Sequence, residues 1–296
     1  MSSRHAVGVP EGSALVDCGG VRLAVARQGQ GPAVICLHAI GHGGRDYEAF
    51  ARQASTHYEV IRVDWPGHGR SGPDLQPLSP ARYAELLAQV VEQLAITNPI
   101  LIGNSIGAAA AILYAAKHPV RALVLCDAGG LVSVSPLVRG ITSLMARFFA
   151  AGARGKGWFA GAYAFYYRHI VLPSPQAAEQ RERIVQIGYE AAPLLAEAWT
   201  HFGKKEADIR AIAATLTVPV WCAWAQQDRV IPLWICRPAI RKIARATITT
   251  FRGGHSAFLE QPEEFMRGFS QFVRASGIGS EQDKAWESAS AQGQAG

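Results

Sequence analysis

The sequence lacks both long apolar segments and paired cysteines. No apolar run reaches the roughly 18 residues that a transmembrane helix needs. The first residues, MSSRHAVGVPEGSA, lack the apolar core of a secretion signal. The five cysteines are odd in number, widely spaced and mostly within apolar stretches: Cys18, Cys36, Cys126, Cys222 and Cys236. This pattern is typical of buried thiols in a reducing compartment. We therefore expect a cytoplasmic protein with no membrane partner.

Basic clusters and nucleotide or metal motifs are also missing. The 296 residues carry a net charge of +6, but Lys and Arg are scattered, which argues against nucleic-acid binding. With no Walker lysine and no His/carboxylate spacing for a metal, we expect neither a metal nor a cofactor. Residues 67–72 match G-x-G-x-x-G, but the proline-rich PDLQPLSP follows and blocks the helix that a dinucleotide site requires. We interpret residues 67–72 as a structural loop.

Apolar, β-branched segments alternate with helical patterns along most of the chain. Eight strands are predicted, at residues 14–17, 21–27, 33–38, 58–64, 99–103, 122–127, 218–225 and 247–251. Helices are predicted at residues 47–53, 80–94, 106–117, 233–244 and 263–273. Strands such as VICLH and LVLCD are apolar throughout, which favours a mostly parallel α/β sheet covered by helices on both faces. The first two strands resemble an antiparallel hairpin.

Residues 129–208 interrupt this alternation. They contain no clear strand, they are rich in aromatic residues, and they follow the sixth strand. We predict a helical insertion at residues 129–208, which caps a core formed by residues 1–128 and 209–275. The polar segment 276–296 is predicted to be a disordered tail.

A serine lies between two glycines where a strand meets a helix. Residues 103–107 read GNSIG and fit G-x-S-x-G in the strand–turn–helix context that this motif requires. A sharp turn there would lift Ser105 clear of the chain at a helix N-terminus, where developing negative charge is favoured. We interpret Ser105 as a nucleophile; the alternative is that it only caps the helix.

A serine nucleophile needs a base that is oriented by an acid. His255 follows the last strand in FRGGHSAF, and Asp228 follows the seventh strand in AQQDRVIP. The order Ser, Asp, His predicts His255 as the base and Asp228 as the acid. Asp127, at the end of strand six, is the alternative acid.

An acyl-transfer site also needs N–H donors for the oxyanion. The backbone N–H of Ile106, directly after the nucleophile, is one candidate. The second donor should come from the loop after the third strand, LHAIGHGG. We choose Ile40 for this role, with Ala39 as the alternative.

Five motifs in order resemble the α/β-hydrolase superfamily: LHAIG, RVDWPGHGRSG, GNSIG, QQDRVIP and GGHSAFLEQPEEF. The resemblance spans roughly residues 14–275. It implies an eight-stranded sheet, a Ser105–Asp228–His255 triad and a helical cap that shapes the substrate pocket. Ala39 departs from the family pattern, which usually has glycine after the histidine of this loop.

The substrate expected from these parts is a small, largely apolar ester. Four aromatic residues are candidates to line its pocket: Trp158, Tyr166, Tyr167 and Trp199. GNSIG also resembles the elbow of meta-cleavage-product C–C hydrolases, but these usually carry tryptophan after the catalytic histidine, and here Ser256 takes that place. A lyase or a non-catalytic ligand-binding protein of the same fold is the remaining alternative.

Overall fold

An eight-stranded sheet forms the centre of the protein in this computed structural model, which describes residues 13–278. The strand order is β1-β2-β4-β3-β5-β6-β7-β8. The first two strands form the predicted antiparallel hairpin, β2 also runs antiparallel to β4, and the other pairs are parallel. The strands are β1 (Ser13–Cys18), β2 (Val21–Gln28), β3 (Ala33–Leu37), β4 (Glu59–Val63), β5 (Ile100–Asn104), β6 (Ala122–Cys126), β7 (Val220–Ala225) and β8 (Ala246–Phe251).

The central parallel strands are apolar because helices cover both of their faces. Every residue of β5, β6 and β7 is buried, as expected for a sheet that is not exposed on either side. Gly103 of β5 pairs with Leu37 of β3 and Leu125 of β6. The strands therefore end together, and the loops that follow β3, β5, β6, β7 and β8 meet at the carboxyl edge of the sheet, where open α/β sheets bind ligands.

Five of the helices match sequence predictions to within a few residues. These are α1 (Glu48–Ala54), α2 (Pro80–Gln93), α3 (Ile106–Ala115), α9 (Leu233–Ile240) and α11 (Pro262–Ala275). Ser79 caps α2 by accepting the backbone N–H of Arg82, and Pro80 occupies the first turn, where its missing N–H costs nothing. The short α10 (Ala257–Glu260), which precedes α11, was not predicted.

Helices fill the segment between β6 and β7. They are α4 (Pro136–Ala153), α5 (Phe159–Tyr166), α6 (Ala178–Gln186), α7 (Gly188–Phe202) and α8 (Arg210–Ala213), and a single π-helical turn follows α5. Helices α4 and α7 pack together through Phe149 and Trp199, whose rings stack 6.3 Å apart. The division into core and helical insertion stays a prediction. From residue 279 onward, the predicted disordered tail lies outside the described residues.

The cysteines are buried, as their apolar surroundings in the sequence predict. All five cysteines are buried and free. Within residues 13–278, no helix is both long enough and apolar enough to cross a membrane.

Candidate active site

Ser105 occupies a strained turn between β5 and α3. Its backbone has φ 54° and ψ −114°, a conformation with positive φ that non-glycine residues rarely adopt. Contacts with the neighbouring strand hold it there. The N–H of Ser105 donates to the carbonyl of Cys126 (3.0 Å), and its carbonyl accepts the N–H of Gly129 (3.0 Å). The turn presents the Ser105 side chain at the carboxyl edge of the sheet, as the motif predicts.

The two glycines of the motif are required by close packing. A Cβ added at Gly103 would lie 2.5 Å from the backbone nitrogen of Ala108. A Cβ at Gly107 would lie 2.3 Å from the carbonyl oxygen of Leu37. Both obstacles are backbone atoms that cannot rotate away, so α3 can approach β3 and β5 this closely only with glycine at these positions.

His255 and Asp228 form a buried hydrogen-bonded pair. His255 Nδ1 lies 2.9 Å from Asp228 Oδ2. The other carboxylate oxygen, Oδ1, accepts the backbone N–H groups of Val230 (2.7 Å) and Ile231 (2.9 Å). These bonds fix the carboxylate, which in turn holds the proton of His255 on Nδ1 and leaves Nε2 available as a base.

Asp127, the alternative acid, is fully buried beside Asp228 but makes no hydrogen bond to His255. Its Oδ1 accepts the N–H of Ala225 (2.8 Å), and its Oδ2 has no partner among residues 13–278. Burial and the negative charge of Asp228 raise the pKa of Asp127 well above its usual value. The arrangement therefore favours a neutral carboxyl at Asp127.

Asp127, Asp228 and His255 also lie close enough to be considered as metal ligands, since one ligand atom from each falls within 4.8 Å of the others. Most of their ligand atoms are already used, because Asp228 accepts three N–H groups, one of them from His255 Nδ1. That leaves Asp127 Oδ2, which has no partner in the described part of the chain, and His255 Nε2, the nitrogen not bound to Asp228. The donor set fits a hydrogen-bonded acid–base cluster better than a metal site.

The candidate oxyanion donors lie in two neighbouring loops. Ile106 is the first residue of α3, and the N–H groups of a first helical turn have no intrahelical acceptor. In the loop after β3, neither the N–H of Ala39 nor that of Ile40 makes a hydrogen bond within the described residues. Ala39, Ile40 and Ile106 all line the same cavity. The choice between Ala39 and Ile40 stays open.

The G-x-G-x-x-G segment supports this loop. His68 Nε2 accepts the N–H of Gly41 (2.9 Å), and His68 Nδ1 lies 2.9 Å from the carbonyl oxygen of Pro66. Burial and the nearby His38 lower the pKa of His68 to about 3, so the ring is neutral and can accept the Gly41 proton. Residues 67–72 thus serve as a structural loop, as interpreted from the sequence.

Asn104, which precedes Ser105, links the elbow to the histidine loop. Its Nδ2 donates to the carbonyls of Cys126 (3.1 Å) and His255 (3.0 Å). Its Oδ1 accepts the hydroxyl of the fully buried Ser256 (2.9 Å). Sequence reasoning missed this role, because residues 104 and 256 are 152 positions apart and no local pattern relates them.

Glu260 holds the same histidine loop from the other side and was also missed. Its carboxylate accepts the N–H groups of Gly254 (2.6 Å), His255 (3.3 Å) and Ser174 (3.1 Å). Burial raises the pKa of Glu260 although these donors oppose the change. The sequence contains one signal for this role, because Glu260 follows apolar residues in AFLEQP. A glutamate buried among apolar residues needs hydrogen-bond donors.

A cavity of about 280 Å³ opens beside Ser105 and His255. Its wall is mostly apolar and includes three of the four predicted aromatic residues: Tyr166, Tyr167 and Trp199. Trp158 does not line it. Trp158 is 56% exposed and packs against Phe148 and Phe159, so its assignment to the pocket is corrected.

Comparisons with known proteins place the chain in a family. A model of the alpha/beta hydrolase family matches residues 34–267, and the chain therefore belongs to that family. Pimeloyl-[acyl-carrier protein] methyl ester esterase from Xanthomonas campestris is 29% identical over 264 residues, covering 83% of this chain and 97% of the relative. A 2-(acetamidomethylene)succinate hydrolase from Mesorhizobium japonicum is 33% identical over 114 residues, covering 38% of this chain and 41% of the relative.

The fold has close counterparts among solved structures. A thermophilic esterase from Thermogutta terrifontis superposes with a TM-score of 0.73 at 21% identity, covering 89% of this chain and 98% of that one. An enol-lactonase from Burkholderia xenovorans LB400 gives a TM-score of 0.72 at 18% identity, covering 88% and 100%. At these identities, the similarity shows a shared fold.

Proposed function

We propose that the protein is a serine hydrolase that cleaves a small, largely apolar ester through an acyl-enzyme. The observation that carries the proposal is the placement of Ser105, on its strained turn, and His255, bonded to Asp228, on one cavity. Esterases and hydrolases among the relatives support the reaction class.

Acylation begins when Ser105 Oγ attacks the ester carbonyl carbon while His255 Nε2 takes the hydroxyl proton. Asp228 stabilises the imidazolium that forms. The carbonyl oxygen becomes an oxyanion, which the N–H groups of Ile106 and of Ile40 or Ala39 stabilise. When the tetrahedral intermediate collapses, the C–O bond to the alcohol breaks and His255 gives its proton to the leaving alkoxide.

Deacylation repeats these steps with water in place of the serine. His255 Nε2 removes a proton from the water, whose oxygen attacks the acyl carbonyl carbon. The second oxyanion that forms is stabilised by the same N–H groups as the first. Collapse breaks the bond to Ser105 Oγ, and the proton returns from His255 to the serine. The products are the alcohol and the carboxylic acid.

The cavity indicates the size and polarity of the substrate. Ligand pockets for drug-sized molecules occupy roughly 300–1,000 Å³, so a cavity of about 280 Å³ suits a small substrate. Its wall contains apolar side chains from α4 and α7, among them Val138, Phe149 and Leu195. A short or medium apolar acyl chain fits this lining.

Turnover of p-nitrophenyl esters from acetate to dodecanoate tests the proposal. We expect hydrolysis with an optimum at short or medium chain length, and we expect Ser105→Ala to abolish it because the nucleophile is removed. Ser143→Ala, at an exposed serine of α4, is the matched control and should keep wild-type activity. A folded wild-type protein that is inert on every ester would contradict the proposal, and vinylogous diketones would be the next substrates.

A further inference from the structure

A second histidine–aspartate pair lies on the wall of the same cavity. His42 belongs to the loop after β3 and is only 5% exposed, yet it lines the cavity with Ser105 and His255. It stands two residues after Ile40, a candidate oxyanion donor. Two residues of chain span at most roughly 7 Å, so the backbone of His42 lies close to that of Ile40, on the cavity that also contains Ser105.

Asp46 fixes the His42 ring from behind. His42 Nδ1 lies 2.5 Å from Asp46 Oδ2, and Asp46 Oδ1 accepts a hydrogen bond from Arg183 of α6 at 2.7 Å. Burial of Asp46 opposes ionisation, but His42 and Arg183 outweigh it and lower the pKa of Asp46. The carboxylate is therefore charged, and His42 Nδ1 carries the proton that it donates to Asp46.

The hydrogen bond to Asp46 sets the tautomer of His42. In the tautomer that donates its Nδ1 proton to Asp46, the ring has a lone pair on Nε2. Because Nδ1 is bound to Asp46, Nε2 is the nitrogen left for a ligand in the cavity.

The other two histidines of this region differ from His42 in this respect. His38 uses both ring nitrogens, with Nδ1 at 2.7 Å from the carbonyl of Ala39 and Nε2 accepting the N–H of Trp65. His68 likewise uses both. His42 Nε2 has no hydrogen-bond partner among residues 13–278. Because His42 lines the cavity, this nitrogen is open to a ligand there.

We propose that His42 Nε2 accepts a hydrogen bond from a hydroxyl group of the substrate, close to the scissile ester. The inference rests on the proposed function and adds to it: the substrate is a hydroxylated ester rather than a purely apolar one. His42 is a specificity-determining residue in this proposal, whereas His255 is the base. The ring of Tyr167 lies 5.8 Å from that of His42 and limits where the hydroxyl can sit.

Matched substrates test the proposal with the wild-type protein. The probes are p-nitrophenyl hexanoate and its 2-hydroxy, 3-hydroxy and 6-hydroxy derivatives. One of the two esters with a hydroxyl near the carbonyl should have a KM roughly fivefold to tenfold lower than that of hexanoate, as one hydrogen bond provides. The 6-hydroxy ester should show no gain. An ester of adipic acid provides the carboxylate comparison, and a preference for it would overturn the hydroxyl assignment.

Two substitutions separate recognition from packing. In His42→Asn, the amide nitrogen can replace Nδ1 toward Asp46, but the acceptor in the cavity is lost. This variant should lose the hydroxyl preference, so that its KM values for hexanoate and for the hydroxylated hexanoates become equal. His42→Gln restores a polar group near the position of Nε2 and should recover part of the preference. His118→Asn, at an exposed helix end, is the control and should behave as the wild type.

A measurement on the wild-type protein alone tests the proposal even if the His42 variants do not fold. Competitive inhibition of the wild type is compared for 2-heptanone, 3-hydroxy-2-heptanone and 4-hydroxy-2-heptanone. The hydroxyketone that matches the preferred ester should bind roughly fivefold more tightly than 2-heptanone. Equal KM values for all hexanoates and equal inhibition by all three ketones would overturn the role of His42 while leaving the esterase proposal intact. A wild type inert on every ester, hydroxylated or not, would contradict the esterase proposal itself.

Discussion

Two buried aspartates lie side by side at the carboxyl edge of the sheet, and their hydrogen bonds favour different charges. Asp228 accepts N–H groups from Val230, Ile231 and His255, which stabilise a carboxylate. Within residues 13–278, Asp127 accepts one N–H, that of Ala225, and it is buried next to that negative charge. Two neighbouring carboxyl groups rarely ionise together, and the proposed mechanism assigns the acid role to Asp228.

The two aspartates can be distinguished by replacing each with asparagine. Asp228→Asn should lower kcat on p-nitrophenyl hexanoate by roughly 10³-fold or more, because the amide can no longer hold the His255 tautomer or stabilise the imidazolium. Asp127→Asn should keep kcat within a few-fold of wild type, since asparagine resembles a neutral carboxyl. The opposite order of effects would make Asp127 the acid.

Sequence patterns predicted the strands, the elbow and the histidine loop because each depends on local chemistry. The apolar segments of β5 and β6 and the glycines around Ser105 are recognisable without knowing what they contact. Asn104 and Glu260 were missed, because their roles depend on partners that only folding brings near. The pairing of Asp228 with His255 was predicted from their order, but only the structure distinguishes the environments of Asp228 and Asp127.

The link between the elbow and the histidine loop can be measured as a coupling free energy. Asn104→Ala and Ser256→Ala should each lower the free energy of unfolding by roughly 1–3 kcal/mol, because each leaves a buried polar partner unpaired. The double variant should cost less than the sum, because both partners of one hydrogen bond are then gone. Urea unfolding of the four proteins provides the values, and strictly additive losses would show that the two side chains do not act together.

At the scale of the whole molecule, the cavity lies between the carboxyl edge of the sheet and the helices that connect β6 to β7, which form the predicted insertion. Two contacts tie these parts together near the site: Arg183 with Asp46, and the N–H of Ser174 with Glu260. The aromatic composition of the insertion predicted an apolar wall, but it could not say which side each ring faces. Trp199 stacks on Phe149 and lines the cavity, whereas Trp158 faces solvent.

The central claim is that Ser105 is acylated during turnover. The most direct measurement is mass spectrometry of peptides from protein quenched during turnover of p-nitrophenyl hexanoate. The account predicts one added hexanoyl group, located on the peptide that contains Ser105 and absent from Ser105→Ala. An acyl group found on another residue, or full esterase turnover by Ser105→Ala, would contradict it.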